Sequence, residues 1–143
     1  MKEAIGEARK AAGAGEVPIG AVIVRDGQVV ARGYNRTETE KDPTMHAEMI
    51  AIREAVRVLG GWRLSGCSMY VTAEPCVMCA GACILARLDA VYAGTESPKS
   101  GAAGSVRDIL TSGVLNHASV YEVGILRGEC AALLKEYFAA LRK

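Results

Sequence analysis

The chain has 143 residues, half of them hydrophobic and 23% charged, enough to bury one full core without staples. Its net charge of +1 argues against an extended phosphate-binding surface but leaves room for a local basic patch. Apolar stretches such as Ile19 to Val24 are too short to cross a bilayer, and Met1-Lys2-Glu3-Ala4 lacks the basic-then-apolar pattern of a leader. A cytoplasmic protein with no membrane partner is expected.

Residues 2–12 are rich in Ala, Lys and Glu and predict a helix, ended by Gly13 and Gly15. The apolar run that follows leads into Arg25-Asp26-Gly27-Gln28. Asp-Gly between two Val-rich runs is a hairpin signal, because both turn residues tolerate positive φ, so residues 20–24 and 28–33 should pair antiparallel. Residues 35–44 form a polar loop in which Asp42 or Thr44 is placed to cap the next helix. That helix repeats Met49, Ile52, Val56 and Leu59 on one side and stops at Gly60-Gly61.

Residues 68–72 read as a strand. Pro75 starts a second buried helix that continues to Ala86, since the missing N–H is one that would lack a partner there. Residues 89–93 and 118–122 read as further strands, 95–105 as a small-residue loop holding Lys99, and 106–110 as a short helix. The terminal helix places Leu126, Cys130, Leu133, Leu134, Tyr137 and Leu141 on one stripe, which predicts a core-facing side. Helices alternating with strands imply a layered α/β sheet, and residues 1–143 read as a single domain without repeat or linker.

The five cysteines are an odd number in a chain expected in a reducing compartment, which argues against a disulfide framework. Cys67, Cys83 and Cys130 read as small buried hydrophobes. Cys76 and Cys79 differ, because they form C-x-x-C directly after Pro75, with His46-Ala47-Glu48 upstream. A lone C-x-x-C can be half of a structural zinc site, a redox pair or chance. A structural site needs two further ligands at matching spacing, and the only other histidine, His117, stands alone in a loop. A redox pair has no use for a separate histidine and carboxylate.

One imidazole, two thiols and a carboxylate that need not bind metal are the inventory of a catalytic zinc site with one position open to water. His46, Cys76 and Cys79 would be the ligands. Glu48 would take a proton from the water, protonate a ring nitrogen, and deliver a proton to a departing amine. Residues two apart on a helix point about 200° apart, so His46 and Glu48 can converge only at a helix end.

The H-x-E…P-C-x-x-C pattern resembles the zinc-dependent nucleoside and nucleobase deaminases. Within that family the sequence is similar to the bacterial tRNA-specific adenosine deaminases. The likeness is carried by Glu16-Val17-Pro18-Ile19-Gly20-Ala21-Val22, Asn35-Arg36, Asp42-Pro43-Thr44, His46-Ala47-Glu48-Met49 and Trp62-Arg63-Leu64, then Glu74-Pro75-Cys76-Val77-Met78-Cys79, Lys99-Ser100-Gly101-Ala102-Ala103-Gly104-Ser105 and Glu129-Cys130-Ala131-Ala132-Leu133-Leu134.

The resemblance implies a three-layer α/β/α cytidine deaminase-like fold with a central five-stranded mixed sheet flanked by helices. It also implies a homodimer with one zinc ion (Zn2+) per subunit, acting on a tRNA anticodon stem-loop to convert the wobble adenosine to inosine. Asn35 matches a base-binding asparagine, where the plain alternative is a turn residue. Ile19 and Ala47 match pocket-lining positions that are otherwise ordinary core, and Lys99 to Ser105 match a loop beside the RNA backbone. The sequence departs from the family at Ser97, where an acidic residue associated with the preceding nucleotide is common, and at Ala73, where leucine is usual. The alternatives are a deaminase of a free base or nucleoside (guanine, cytosine or cytidine) and a zinc-stabilised RNA-binding subunit without activity.

Overall fold

Asp26 and Gly27 both take positive φ, 50° and 73°, and so close a tight hairpin between β1 (Gly20–Arg25) and β2 (Gln28–Tyr34). The computed structural model describes residues 1–142. Ahead of the hairpin lies α1 (Lys2–Gly13), and after it come α2 (Thr37–Glu40), α3 (Ala47–Leu59) and β3 (Cys67–Ala73). The chain continues through α4 (Val77–Leu85), β4 (Ala90–Thr95), β5 (Val120–Val123) and α5 (Arg127–Leu141).

The strands form one sheet in the order β2-β1-β3-β4-β5. β1 is antiparallel to both β2 and β3, whereas β3, β4 and β5 run parallel. This is the five-stranded mixed sheet expected from the resemblance. The parallel half is reached through α4, the kind of crossover that parallel neighbours require.

Two glycines let helices settle on opposite faces. Gly33 is paired with Ala21 and therefore points away from the face that Gly20 uses. A Cβ on Gly33 would overlap the Ala47 carbonyl and reach 2.8 Å from the Ala51 amide, while one on Gly20 would overlap the backbone of Ala4 and Ala8. So α3 lies directly on β2 on one face and α1 on β1 on the other. Alternation then sorts the sheet residues. Ala21, Ile23, Met69, Val71, Val91 and Ala93 join α3 and α4 in the larger core, where Ala51, Ala55, Ala80, Cys83 and Ile84 are buried.

Three local expectations change. Residues 106–110 are not helical: an isolated bridge pairs Ala103 with Asp108, and the amides of Val106 and Arg107 return to the Gly101 carbonyl. A five-residue stretch gains too few intrahelical bonds to outweigh those contacts. Conversely, the polar loop after β2 contains α2, because the Glu16 carboxylate takes the Glu38 and Thr39 amides from outside it.

The terminal stripe is only partly core. Cys130 is buried where Gly94 leaves room for its sulfur, but Leu126 is 36% and Leu141 64% exposed. The helix packs mainly on α1, β3 and β4, so its stripe outruns the surface that covers it. Among the described residues no helix is long and apolar enough to cross a membrane.

Candidate active site

His46 is the N-cap of α3 and Cys76 the N-cap of α4, each in extended backbone with ψ of 151° and 179°. This resolves the facing problem posed by His-x-Glu. His46 lies just outside the helix, so it is free of the 100° helical step that would turn it away from Glu48 in the first turn. Pro75 correspondingly precedes the cap rather than occupying the first helical position expected for it. The β3 strand delivers Pro75-Cys76 directly above the carboxyl end of the sheet, the usual place for a ligand site in an open α/β fold.

The three expected metal ligands come together. His46, Cys76 and Cys79 each offer an atom within 4.8 Å of the others, and Glu48 stands outside that group. The Nδ1 atom of His46 is the one that faces both sulfurs, 3.6 Å from Cys76 Sγ and 3.5 Å from Cys79 Sγ. Zn–S and Zn–N bonds of about 2.3 and 2.0 Å at a tetrahedral angle set an N···S separation of about 3.5 Å. Both His46–sulfur distances therefore match those between ligands of one zinc ion.

Electrostatics agree with the donor set. A hydrogen bond from the Cys79 thiol, opposed by burial and helped by His46, pulls Cys76 down to about 4. The same bond and burial push the Cys79 thiol upward. The Cys76 contact raises His46. Two sulfurs competing for one negative charge are what a dication resolves, since it favours both as thiolates. Glu48 is 4% exposed, and burial pushes its carboxyl up despite the nearby His46 and Cys79 groups.

Asn35 Oδ1 accepts the Ala47 N–H at 2.8 Å, and the Asn35 amide donates to the Ile19 carbonyl at 3.1 Å. Ile19, Asn35 and Ala47 are thus linked to one another beside His46, which Ala47 follows in the chain. The expected cap from Asp42 or Thr44 is not formed. Asp42 instead accepts the Thr44 amide and hydroxyl and closes its own turn, while Asn35 serves the first helical N–H.

Lys99 is exposed at the tip of the loop after β4, and Ser97 is half-buried at its base. The Ser97 hydroxyl donates to the Glu74 carbonyl at 3.0 Å, so its proton is committed within the protein. Three buried carboxylates escaped the sequence reading: Glu7 at 3%, Glu16 at 1% and Glu74 at 5% exposure. For Glu74 the one available signal was position, a charge set directly before Pro75 in an otherwise apolar stretch.

Residues 1–95 match the family of cytidine and deoxycytidylate deaminase zinc-binding regions. The chain belongs to that family, and the zinc-binding trio and the carboxylate beside it lie inside the matched segment. It is similar to the tRNA-specific adenosine deaminase of Bacillus subtilis, with 48% identity over 143 residues, all of this chain and 89% of the relative. The Aquifex aeolicus tRNA-specific adenosine deaminase is 44% identical over 99% of this chain and 93% of its own length. A structure solved in a study of A-to-I editing by tRNA:A34 deaminases at the wobble position superposes with a TM-score of 0.88. It is 46% identical and covers 94% of this chain and 97% of its own.

Proposed function

We propose that this chain is a zinc-dependent hydrolase that deaminates the wobble adenosine of a tRNA anticodon to inosine. The observation that carries the reading is where the likeness ends. The family's zinc-binding region stops at residue 95, whereas the similarity to tRNA-specific adenosine deaminases runs through all 143 residues, including the 96–105 loop and α5.

A zinc ion held by His46 Nδ1, Cys76 Sγ and Cys79 Sγ supplies Lewis-acid activation of water at neutral pH. The protein's own groups do the rest. Glu48, buried and outside the ligand set, is the proton carrier: it accepts a proton from the attacking water and gives one to the adenine ring nitrogen next to C6. A C–O bond forms at C6 and the C–N bond breaks. Glu48 then takes the remaining proton from the new C6 hydroxyl and delivers it to the amine, which leaves as ammonia as the C6 oxygen becomes a carbonyl and the base is left as hypoxanthine. Asn35 orients the base through Nδ2, because its Oδ1 is already bonded to Ala47. Ile19 and Ala47 wall the base, and the loop carrying Ser97 and Lys99 faces the polynucleotide backbone.

The same reading includes a cytoplasmic, single-domain protein acting as a homodimer. An apolar groove between α3 and α4, lined by Ile52, Val56, Trp62, Ala82 and Leu85, supports the dimer, with Trp62 and Leu85 more than half exposed. Sedimentation at micromolar concentration checks it.

A second reading is favoured by a structural likeness. A guanine deaminase from Nitrosomonas europaea superposes with a TM-score of 0.85 at 26% identity, covering 96% of this chain and 82% of its own. One experiment separates the two: incubate the zinc-loaded protein with an anticodon stem-loop carrying a wobble adenosine, and in parallel with free adenosine, cytidine and guanine. Inosine in the RNA alone supports the tRNA activity. Turnover of a free base with intact RNA overturns it.

A further inference from the structure

The residue before Pro75-Cys76 is tied to a distant loop by an unusual number of bonds. Glu74 closes β3 by donating its amide to the Thr95 carbonyl at 2.8 Å, and its side chain turns inward at 5% exposure. A buried carboxylate needs donors around both oxygens. Here they all come from one loop. Oε1 accepts the Ser97 amide at 3.1 Å and the Ser105 hydroxyl, and Oε2 accepts the amides of Ala103 at 2.9 Å and Ser105 at 3.0 Å.

The surroundings reinforce the link. The Ser97 hydroxyl returns to the Glu74 carbonyl at 3.0 Å, and the Ala102 amide donates to the Pro75 carbonyl at 2.8 Å. Gly101 passes so close that a Cβ there would overlap the Glu74 carboxylate. Gly101, Ala102 and Ala103 are buried, while Pro98, Lys99 and Ser100 stand exposed at the tip. The base of the loop is thus fixed to the turn that carries Cys76, and its tip is presented at a set distance from the metal trio.

We infer that Glu74 is a positioning residue for the polynucleotide substrate: its carboxylate holds the 97–105 loop in the shape that presents Lys99, at the exposed tip, to the RNA backbone, rather than touching the reacting base. This rests on the reading of the chain as an RNA deaminase. A loop held in advance spares its ordering on binding, so release of the latch should appear chiefly as weaker substrate capture.

The test uses the zinc-loaded protein with Glu74→Gln, which keeps the side-chain shape but replaces one acceptor oxygen by a donor. Ser105→Ala is the milder companion, removing a single donor from an exposed residue. In Glu74→Gln, amide hydrogen exchange at Ser97, Ala103 and Ser105 should quicken by about tenfold or more, with the amides of β3 unchanged. The KM for the anticodon stem-loop should rise about tenfold while kcat at saturating RNA stays within about threefold, and Ser105→Ala should move both readouts less, in the same direction. Zinc should remain at wild-type stoichiometry.

Faster exchange with an unchanged KM overturns the positioning role, as do unchanged exchange and a loss of turnover that tracks zinc loss alone. If the wild-type protein leaves the stem-loop adenosine intact, the RNA reading itself is overturned. The exchange measurement then still supports or overturns the latch.

Discussion

Asn35 accepts the Ala47 N–H at 2.8 Å, so the helix that carries Glu48 is capped by a side chain twelve residues upstream, from the end of β2. The two ends of the amide group are separable. Oδ1 is structural and Nδ2 is the donor available to a base. Asn35→Asp keeps the acceptor, with its charge favoured at a helix N-terminus, and should unfold within about 1 kcal/mol of the parent. It should nonetheless lose most of kcat/KM. Asn35→Ala loses both groups and should cost about 1–2 kcal/mol as well as activity. Urea unfolding beside steady-state kinetics distinguishes them, and full activity in Asn35→Asp would remove Nδ2 from base recognition.

Gly33 sets how closely α3 approaches β2. In Gly33→Ala the new methyl meets the Ala47 carbonyl and the Ala51 amide, which are backbone and cannot rotate aside. We expect about 2–3 kcal/mol of destabilisation. Zinc should also be held more weakly, because the displaced helix starts at His46. Gly20→Ala presses on α1 across the sheet and should cost comparable stability with zinc retained. Denaturation and competition with a chromogenic chelator give the two readouts.

Glu48 is buried beside the metal trio without belonging to it. Glu48→Ala should therefore keep about one zinc per chain and lose about 10²–10⁴-fold in turnover. Removing the metal from the parent should abolish activity and restoring it should bring activity back. A Glu48→Ala protein with parental rates would take the proton-carrier role away from this carboxylate.

What could be read in advance follows from where each signal resides. The zinc trio and Glu48 were legible because metal chemistry dictates residue types and spacing, and the hairpin because Asp26-Gly27 suits positive φ. The α5 stripe was half legible: periodicity shows which side is apolar but not whether a neighbour is there to cover it, and Leu141 is left mostly exposed. Glu16 and Glu74 were not legible as clamps. Their partners are chiefly backbone amides 22 to 31 residues away, and an amide leaves no trace in the residue type. Asn35 fell between, its match to a base-binding position visible but its bond to Ala47 hidden until the loop was folded.

Glu16 offers the last prediction, one that follows from pH. Its carboxylate is 1% exposed and accepts the Glu38 amide at 3.1 Å, the Thr39 amide at 2.6 Å and the Thr39 hydroxyl at 2.6 Å, fixing α2 between Asn35 and His46. Burial pushes this carboxyl up, but the Thr39 hydroxyl and the two amides outweigh it and hold the group below its ordinary value of 4.5. The unfolded chain therefore takes up this proton more readily than the folded one. The contribution to stability is fully present above the ordinary value and drains away as pH falls through the depressed folded one. Glu16→Gln retains one acceptor oxygen and should lose about 1–3 kcal/mol at pH 7. That gap from the parent should narrow as acid protonates Glu16 in the parent. Urea midpoints for both proteins from pH 7 down to below the ordinary carboxylate range measure the gap directly. A gap that stays constant across that range would show that the carboxylate's charge contributes nothing to holding α2.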